Sequence, residues 1–274
     1  MKDVLRIEDL TKKFKKKNFF SSDSDEVIAA DSVNFSLEQG KILAIAGQSG
    51  SGKTTIAKLI LRAIKPDSGK IFHNQKEIMD NSDELKKFRM KCQMIYQDPY
   101  DSINPRMTIS DIVSEPLEIH NIGTKKEREQ RVIETLEKVK LEPAEEISKK
   151  YPHMLSGGQR QRVVIARAIV VKPEIIIADE PVSMLDVSIR AEVLELMKEI
   201  QKENNISMIY ITHDLATAKH FADDILILNS GKVVESGSIK QILSNPTDSY
   251  TKALISAISE PDPNNLYKEK KISV

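Results

Sequence analysis

The chain has 274 residues, with 41 basic side chains set against 41 acidic ones, and is long enough for one large domain or two modest ones around a buried core. A formal charge of zero argues against a chain built mainly to coat nucleic acid, which needs a basic excess; the single cysteine, Cys92, cannot form an internal disulfide and fits a reducing compartment. No signal peptide is expected, because no apolar stretch follows the N-terminal charges, and no segment approaches the roughly 18–20 apolar residues that span a bilayer, so a soluble chain is expected and any membrane role needs partners.

Taken in order, residues 4–10 and 27–40 show near-alternating apolar positions that predict half-buried antiparallel strands. The polar and charged stretch 12–26 between them reads as an exposed loop. Residues 41–47 form a short continuous apolar strand ending in glycine, and 54–64 have helical spacing up to the stop at Lys65-Pro66-Asp67-Ser68-Gly69. From about Pro99 to Lys172 helical patterns dominate, in 106–120, 125–141 and 157–171, which predicts a mostly helical insert. The isoleucine run in 174–181 reads as a buried parallel strand. Residues 188–205 read as a helix with Ile189, Val193, Leu196 and Ile200 on one face. A strand at 206–213, a helix at 215–222 and a strand pair at 223–237 around a Ser-Gly turn follow. Beyond Ile239 come two short helical segments split by Asn245-Pro246. The strand–helix alternation predicts an α/β fold with a mostly parallel core sheet, an N-terminal antiparallel β part and a helical subdomain at about 99–172.

Gly47-Gln48-Ser49-Gly50-Ser51-Gly52-Lys53-Thr54 fits the phosphate-loop pattern G-x-x-x-x-G-K-[ST], with the strand before it and the helix after it that the motif requires. Glycines let the backbone wrap a phosphate with its N–H groups turned inward, and the helix start adds a positive dipole end. Thr55 continues this anion site. Lys53 is expected to neutralise β- and γ-phosphate oxygens, and Thr54 to offer its hydroxyl to Mg²⁺. A second feature, Asp179-Glu180, closes a buried strand, where ligands of open α/β sheets bind. Asp179 is expected to hold Mg²⁺ through water, and Glu180 to act as general base on the attacking water.

Leu155-Ser156-Gly157-Gly158-Gln159 forms a second Gly-containing helix start and therefore a second phosphate contact. One chain cannot easily turn both starts towards one nucleotide, whereas a head-to-tail dimer can. With this segment the sequence resembles the ABC ATPase family over nearly its whole length; there it is the signature motif. The resemblance implies ATP and Mg²⁺ as ligands and assigns further residues. Gln97 looks like the glutamine-loop residue that senses the metal and the membrane partner. Ser183-Met184-Leu185-Asp186 matches the D-loop, which crosses to the partner subunit. His213 is similar to the switch histidine on the γ-phosphate, and Phe14 sits where the family stacks an aromatic ring on adenine, with Phe19 and Phe20 close by.

The segment Asp98-Pro99 through Asn104-Pro105-Arg106 and the run Tyr151-Pro152-His153 before the signature resemble the oligopeptide, dipeptide and nickel importer branch. Residues 1–240 are therefore expected to be the ATPase domain and 241–274 that branch's C-terminal extension. The tail departs from the branch: Asp248-Ser249 stands before Tyr250 where His-Pro is usual, and one cysteine cannot build the iron–sulfur centre some relatives carry. The resemblance implies a second ATPase subunit, like or unlike, two multi-span permeases and, indirectly, an external solute-binding protein, at the cytoplasmic face of the membrane. Oligopeptides or dipeptides are the expected solutes, with nickel or another metal chelate as the alternative. A soluble ABC ATPase acting on ribosomes or DNA is disfavoured by the single P-loop and the lack of a heptad run, and no nucleic acid partner is expected.

Overall fold

In the computed structural model, which describes residues 2–16 and 25–257, the alternating N-terminal segments form two long strands, β1 (Asp3–Lys16) and β2 (Asp25–Glu38). They pair antiparallel, with β4 (Ser68–His73) and β5 (Lys76–Glu77) extending the sheet in the order β2-β1-β4-β5. Asp9 takes a φ of 48° at a register shift in β1. Asn34 of β2 fixes that irregularity by accepting from the Asp9 N–H at 2.9 Å and donating to its carboxylate at 2.9 Å.

The main sheet runs β10-β9-β3-β8-β7-β6, comprising β3 (Ile42–Ala46), β6 (Cys92–Ile95), β7 (Ile175–Asp179), β8 (Ser207–Thr212), β9 (Asp224–Asn229) and β10 (Lys232–Ser238). Five strands are parallel, and β10 pairs antiparallel with β9 across the Ser230-Gly231 turn. Both residues of that turn have positive φ, 47° and 81°, as a tight hairpin requires. Both faces of the sheet are buried, so its strands read as apolar runs rather than alternations. Leu43, Ile45, Ile177, Ile211 and Leu228 pack with β1, β2 and α1 (Lys53–Ile60). Ala44, Ala46, Ile176, Tyr210 and Ile227 face the other side.

That second side is covered by helices, several of which lie between β6 and β7: α3 (Pro99–Ser102), α4 (Ile109–Ile119), α5 (Lys125–Lys138), α6 (Ala144–Ser148), a short 3₁₀ turn (Pro152–Met154) and α7 (Gly157–Ile169). Their starts are set by reciprocal caps, Thr108 with Asp111, Thr124 with Glu127 and Ser156 with Gln159. The remaining helices are α2 (Ser82–Lys91), α8 (Val187–Asn204), α9 (Leu215–Phe221), α10 (Ile239–Ser244) and α11 (Ser249–Ser256). In α8, Val193, Leu196 and Ile200 are buried as the periodicity predicts, joined by Met197 and Gln201.

One helix is shorter than its pattern. Helical spacing runs to Ile64, yet α1 ends at Ile60 and Arg62 turns left-handed with φ 53°. The end closes locally, the Lys58 carbonyl accepting from the Ala63 N–H at 2.9 Å and the Leu59 carbonyl from the Arg62 N–H at 3.0 Å. Arg89 of α2 then holds the turn, donating from Nε to the Leu61 carbonyl at 3.0 Å and from Nη2 to the Arg62 carbonyl at 2.9 Å.

The two C-terminal helices are tied to the rim of the main sheet. Glu235 of β10 accepts from the Thr247 N–H and hydroxyl, each at 2.8 Å, and from the Asp248 N–H at 3.2 Å. Asp248 in turn caps α11 through the N–H groups of Tyr250 and Thr251. Burial opposes the Glu235 charge, but the bonds from Thr247 and Asp248 dominate and hold its pKa down to about 2. A carboxyl depressed on folding contributes stability above its unfolded value, near 4.5, that is lost as pH falls towards 2. Protection of the 247–256 amides, each taken relative to its intrinsic exchange rate at the same pH, is therefore expected to fall between about pH 4.5 and pH 2 by on the order of tenfold, less than the full shift would give because Glu235 is partly exposed and its charge is screened by solvent, and Glu235→Gln should remove that dependence.

Candidate functional site

The loop Gly47–Thr54 leaves β3 at the C-terminal edge of the parallel sheet and enters α1, whose first turn has no side-chain cap. Its N–H groups are therefore available to an anion. The loop is gripped from two sides. A Cβ on Gly47 would strike the Leu228 carbonyl of β9, and one on Gly52 (φ 106°) would strike the Ala29 carbonyl of β2. The Ser51 carbonyl accepts from the Gly231 N–H of the hairpin turn at 2.9 Å. At the tip, Gly50 (φ 80°) has no atom near the position of a Cβ, so that stretch lies open. Lys53 is 6% exposed and its Nζ donates to the Gly47 and Gln48 carbonyls, each at 2.8 Å. Burial pushes its pKa down, while Glu180 and Asp179 pull the other way.

Asp179 ends β7, which is separated from β3 by β8 alone. Its carboxyl is 4% exposed and raised in pKa by burial; the Thr54 hydroxyl and Lys53 oppose that rise, and Glu180 adds to it. The sheet thus brings Lys53, Thr54 and Asp179 together from two strands. Thr54 and Asp179 offer only oxygen, the donor chemistry of a hard divalent cation that also leans on phosphate oxygens. Among the described residues no cluster of three His, Cys, Asp or Glu side chains could hold a metal alone.

Glu180 stands just past the strand with φ 46°, its N–H donating to the Ile211 carbonyl of β8 at 2.9 Å. Non-glycine residues rarely adopt this conformation, and it aims the side chain away from the strand's regular alternation. Both carboxylate oxygens are engaged. Oε2 accepts from Gln97 Nε2 at 3.1 Å, and Oε1 lies 3.0 Å from His213 Nδ1. Gln97, Glu180 and His213, 116 residues apart from first to last, therefore meet where β6, β7 and β8 end. A cavity of about 50 Å³ beside Glu180 and His213, lined also by Tyr210 and Thr212, is large enough for water.

The other sequence-predicted residues lie further out. Phe14 is 42% exposed on β1, opposite Val27, with Lys12 Nζ 5.7 Å from its ring centre. Val27 is two residues from Ala29, the neighbour of Gly52, so the ring stands on the strand pair that borders the P-loop. Phe19 and Phe20 lie outside the described residues. Ser156, Gly157, Gly158 and Gln159 start α7 in the helical layer, which packs on α4, α5 and α8. Gly158 is there for closeness: a Cβ would sit 2.7 Å from Ile189 Cγ2, whereas Gly157 has room. Asp186 precedes α8 without capping it through its side chain, next to the exposed Met184 and Val187.

Sequence reasoning missed one contact at the loop. The Gln48 N–H donates to the hydroxyl of Tyr250 in α11 at 3.0 Å. The Asp-Ser-Tyr order, which marks a helix cap just before an aromatic residue, was the available local signal; the target of the ring was not encoded nearby. A cavity of about 1190 Å³ is elsewhere: it opens near Gln39, Glu174 and Asn205, which precede β3, β7 and β8 at the opposite sheet edge, and none of the sequence-predicted site residues lines it.

Comparison with known proteins agrees with this geometry. The ABC transporter family model matches residues 30–183. The dipeptide transport ATP-binding protein DppF of Haemophilus influenzae is 44% identical over 250 residues, 91% of this chain and 76% of that protein. The oligopeptide transport ATP-binding protein OppF of Bacillus subtilis is 46% identical over 251 residues, 90% and 82% respectively. Among solved structures, cbiO1 of Clostridium perfringens, part of an ABC transporter complex, superposes with a TM-score of 0.76 at 28% identity, covering 89% of this chain and 92% of that one. The chain belongs to the ABC transporter family and is one of its ATP-binding, ATP-hydrolysing subunits.

Proposed function

We propose that this chain powers the import of oligopeptides or dipeptides as one of two ATPase subunits that close head to tail over ATP at the cytoplasmic face of a membrane. The solute class follows the dipeptide and oligopeptide transport relatives, and the hydrolytic role rests on one observation: the Glu180 carboxylate is held between Gln97 and His213 at the strand end beside the P-loop. Residues 1–240 form the ATPase domain in this reading, and 241–274 the extension. Among the described residues no helix is long and apolar enough to cross a membrane, which agrees with a subunit that attaches to membrane partners.

The P-loop amides from Ser49 to Thr55 and the Lys53 ammonium take the phosphates, and Phe14 takes the adenine. Thr54 and Asp179, with Gln97 as the third oxygen donor, hold Mg²⁺, which when bound neutralises β- and γ-phosphate charge. Glu180 accepts a proton from the attacking water, and His213 keeps the carboxylate turned towards it. The partner's second contact comes from Ser156, Gly157, Gly158 and Gln159, whose N-terminal helix dipole faces an anion, and from the exposed D-loop at Asp186. Binding across the interface favours the closed pair, and loss of the γ-phosphate releases it.

The permease docks, in this reading, on the surface after Gln97. Beside it, joined through the Arg167 bond to the Ser102 carbonyl at 3.0 Å, is a groove of about 490 Å³ lined by Arg89, Gln93, Tyr96, Ile119 and Arg167 among others, and Tyr96 and Ile119 are exposed large side chains. Arg106 sits in the adjoining loop, its N–H bonded to the Asn104 side chain at 3.0 Å. Arg106→Glu is expected to cut recovery of the permeases with this subunit about tenfold, as like-charge placement at an interface does, with ATP affinity unchanged. Equal recovery of the assembled complex would remove Arg106 from the docking surface.

The solute is tested by reconstituting the assembled transporter in vesicles with its binding protein. Peptide-loaded binding protein should stimulate ATP hydrolysis. Stimulation by a nickel chelate and none by peptides would replace the peptide reading with the metal one.

A further inference from the structure

We infer that Tyr250 is a positioning residue of the nucleotide site, through which the C-terminal extension holds the P-loop in its phosphate-ready shape; this rests on the nucleotide-site reading above. The contact joins residues 202 positions apart: the Gln48 N–H donates to the Tyr250 hydroxyl at 3.0 Å, while the Gln48 carbonyl accepts from Lys53 Nζ at 2.8 Å. The Gly47–Gln48 peptide unit is thus fixed on both sides, its N–H by the tail and its Gly47 carbonyl by the phosphate-binding lysine at 2.8 Å. Other anchors act elsewhere in the loop. Leu228 and Ala29 confine Gly47 and Gly52, Gly231 holds Ser51, and the space around Gly50 is open. Tyr250 therefore adds an anchor at Gln48, a position none of these holds.

The support is itself rigid. Tyr250 stands in the first turn of α11, where Asp248 accepts from its N–H at 2.8 Å and from the Thr251 N–H at 3.0 Å. Thr251 is fully buried, and Tyr250, Leu254 and Ile255 pack against the core beneath the helical layer. The turn before α11 is tied to β10 by the three bonds to Glu235. A ring mounted this way delivers its hydroxyl at a fixed point. Having accepted from Gln48, the phenol transmits the docking of the tail to the loop's backbone, and to the carbonyl that holds Lys53 in turn.

Tyr250→Phe in the full-length chain tests the inference, since it deletes one hydroxyl and keeps the packed ring. Three quantities are read: hydrogen exchange of the Gln48 amide, the dissociation constant for MgATP, and turnover at saturating ATP. Gln48 exchange should accelerate and the MgATP dissociation constant should rise about fivefold, the size of one net hydrogen bond, while saturated turnover stays within about twofold. In a Gln48→Pro background, which has no N–H at that position, the same Tyr250→Phe change should have no further effect on MgATP affinity. Unchanged affinity and exchange in Tyr250→Phe would overturn the inference. So would an equal affinity loss in the Gln48→Pro background, since the tail would then act by another route. Failure of the unsubstituted chain to bind MgATP would remove the nucleotide-site reading and this inference together, an outcome distinct from either result with the variants.

Discussion

Glu180→Gln is expected to lower ATP hydrolysis about 10³-fold, in the range found when a positioned general base is removed, while ATP still binds. The substitution keeps the side-chain shape and the neighbours: Gln97 at 3.1 Å and His213 at 3.0 Å can each still bond an amide. The strained backbone at φ 46° and the Glu180 N–H to Ile211 bond are also untouched. What is lost is the carboxylate's capacity to take a proton. The charge change favours binding, because Glu180 and Asp179 both lie close enough to act on Lys53, and one negative charge fewer leaves the site better disposed to phosphate. Single-turnover hydrolysis and equilibrium ATP binding measured on the same preparation separate the two effects. Hydrolysis at the unsubstituted rate would take Glu180 out of the general-base role.

The second large effect belongs to the backbone. Gly52→Ala should destabilise the loop by about 2–4 kcal/mol, combining an unfavourable φ with overpacking, and should weaken ATP binding at least about tenfold. Gly52 has φ 106°, and an added Cβ would run into the Ala29 carbonyl and meet Leu228 Cδ2 at 3.5 Å. Neither can yield easily, since Ala29 lies in a long paired strand and the Gly52 carbonyl accepts the first bond of α1, from Ile56 N–H at 3.0 Å. Gly50→Ala is the control. Its φ is 80° but nothing crowds the new atom, so the cost is limited to backbone strain of about 1–2 kcal/mol. Thermal unfolding and ATP binding of the two variants should therefore rank Gly52→Ala clearly worse. An equal ranking would mean that the contact with β2 does not shape the loop.

How much of this was legible in the sequence depended on how local the cause was. The P-loop with its flanking strand and helix, the isoleucine run of β7 and the Ser-Gly hairpin each declare themselves within ten residues or so, and the parallel sheet with its helical layer follows. The stretch between α1 and Gln97 did not declare itself. In β4 only Ile71 is buried, β5 has two residues, and α2 buries Phe88 alone, so no apolar period was available to read. The turn after α1 is held by Arg89 and the irregularity at Asp9 by Asn34, partners 27 and 25 residues away. At the site, Gln97, Glu180 and His213 could each be picked out by their surroundings and by the family resemblance, but their meeting on one carboxylate is a product of strand order. Tyr250 is the extreme case, since its partner Gln48 lies at the other end of the chain.

The claim that this subunit drives a peptide importer is tested most directly by tagging the Glu180→Gln chain, trapping it with ATP in its native cells and identifying what co-purifies from detergent-solubilised membranes. The account predicts two multi-span permeases, a second ATPase subunit or a second copy of this chain, and ATP-dependent association with a peptide-loaded binding protein. Recovery of ribosomes or DNA-bound proteins without any membrane protein would contradict it.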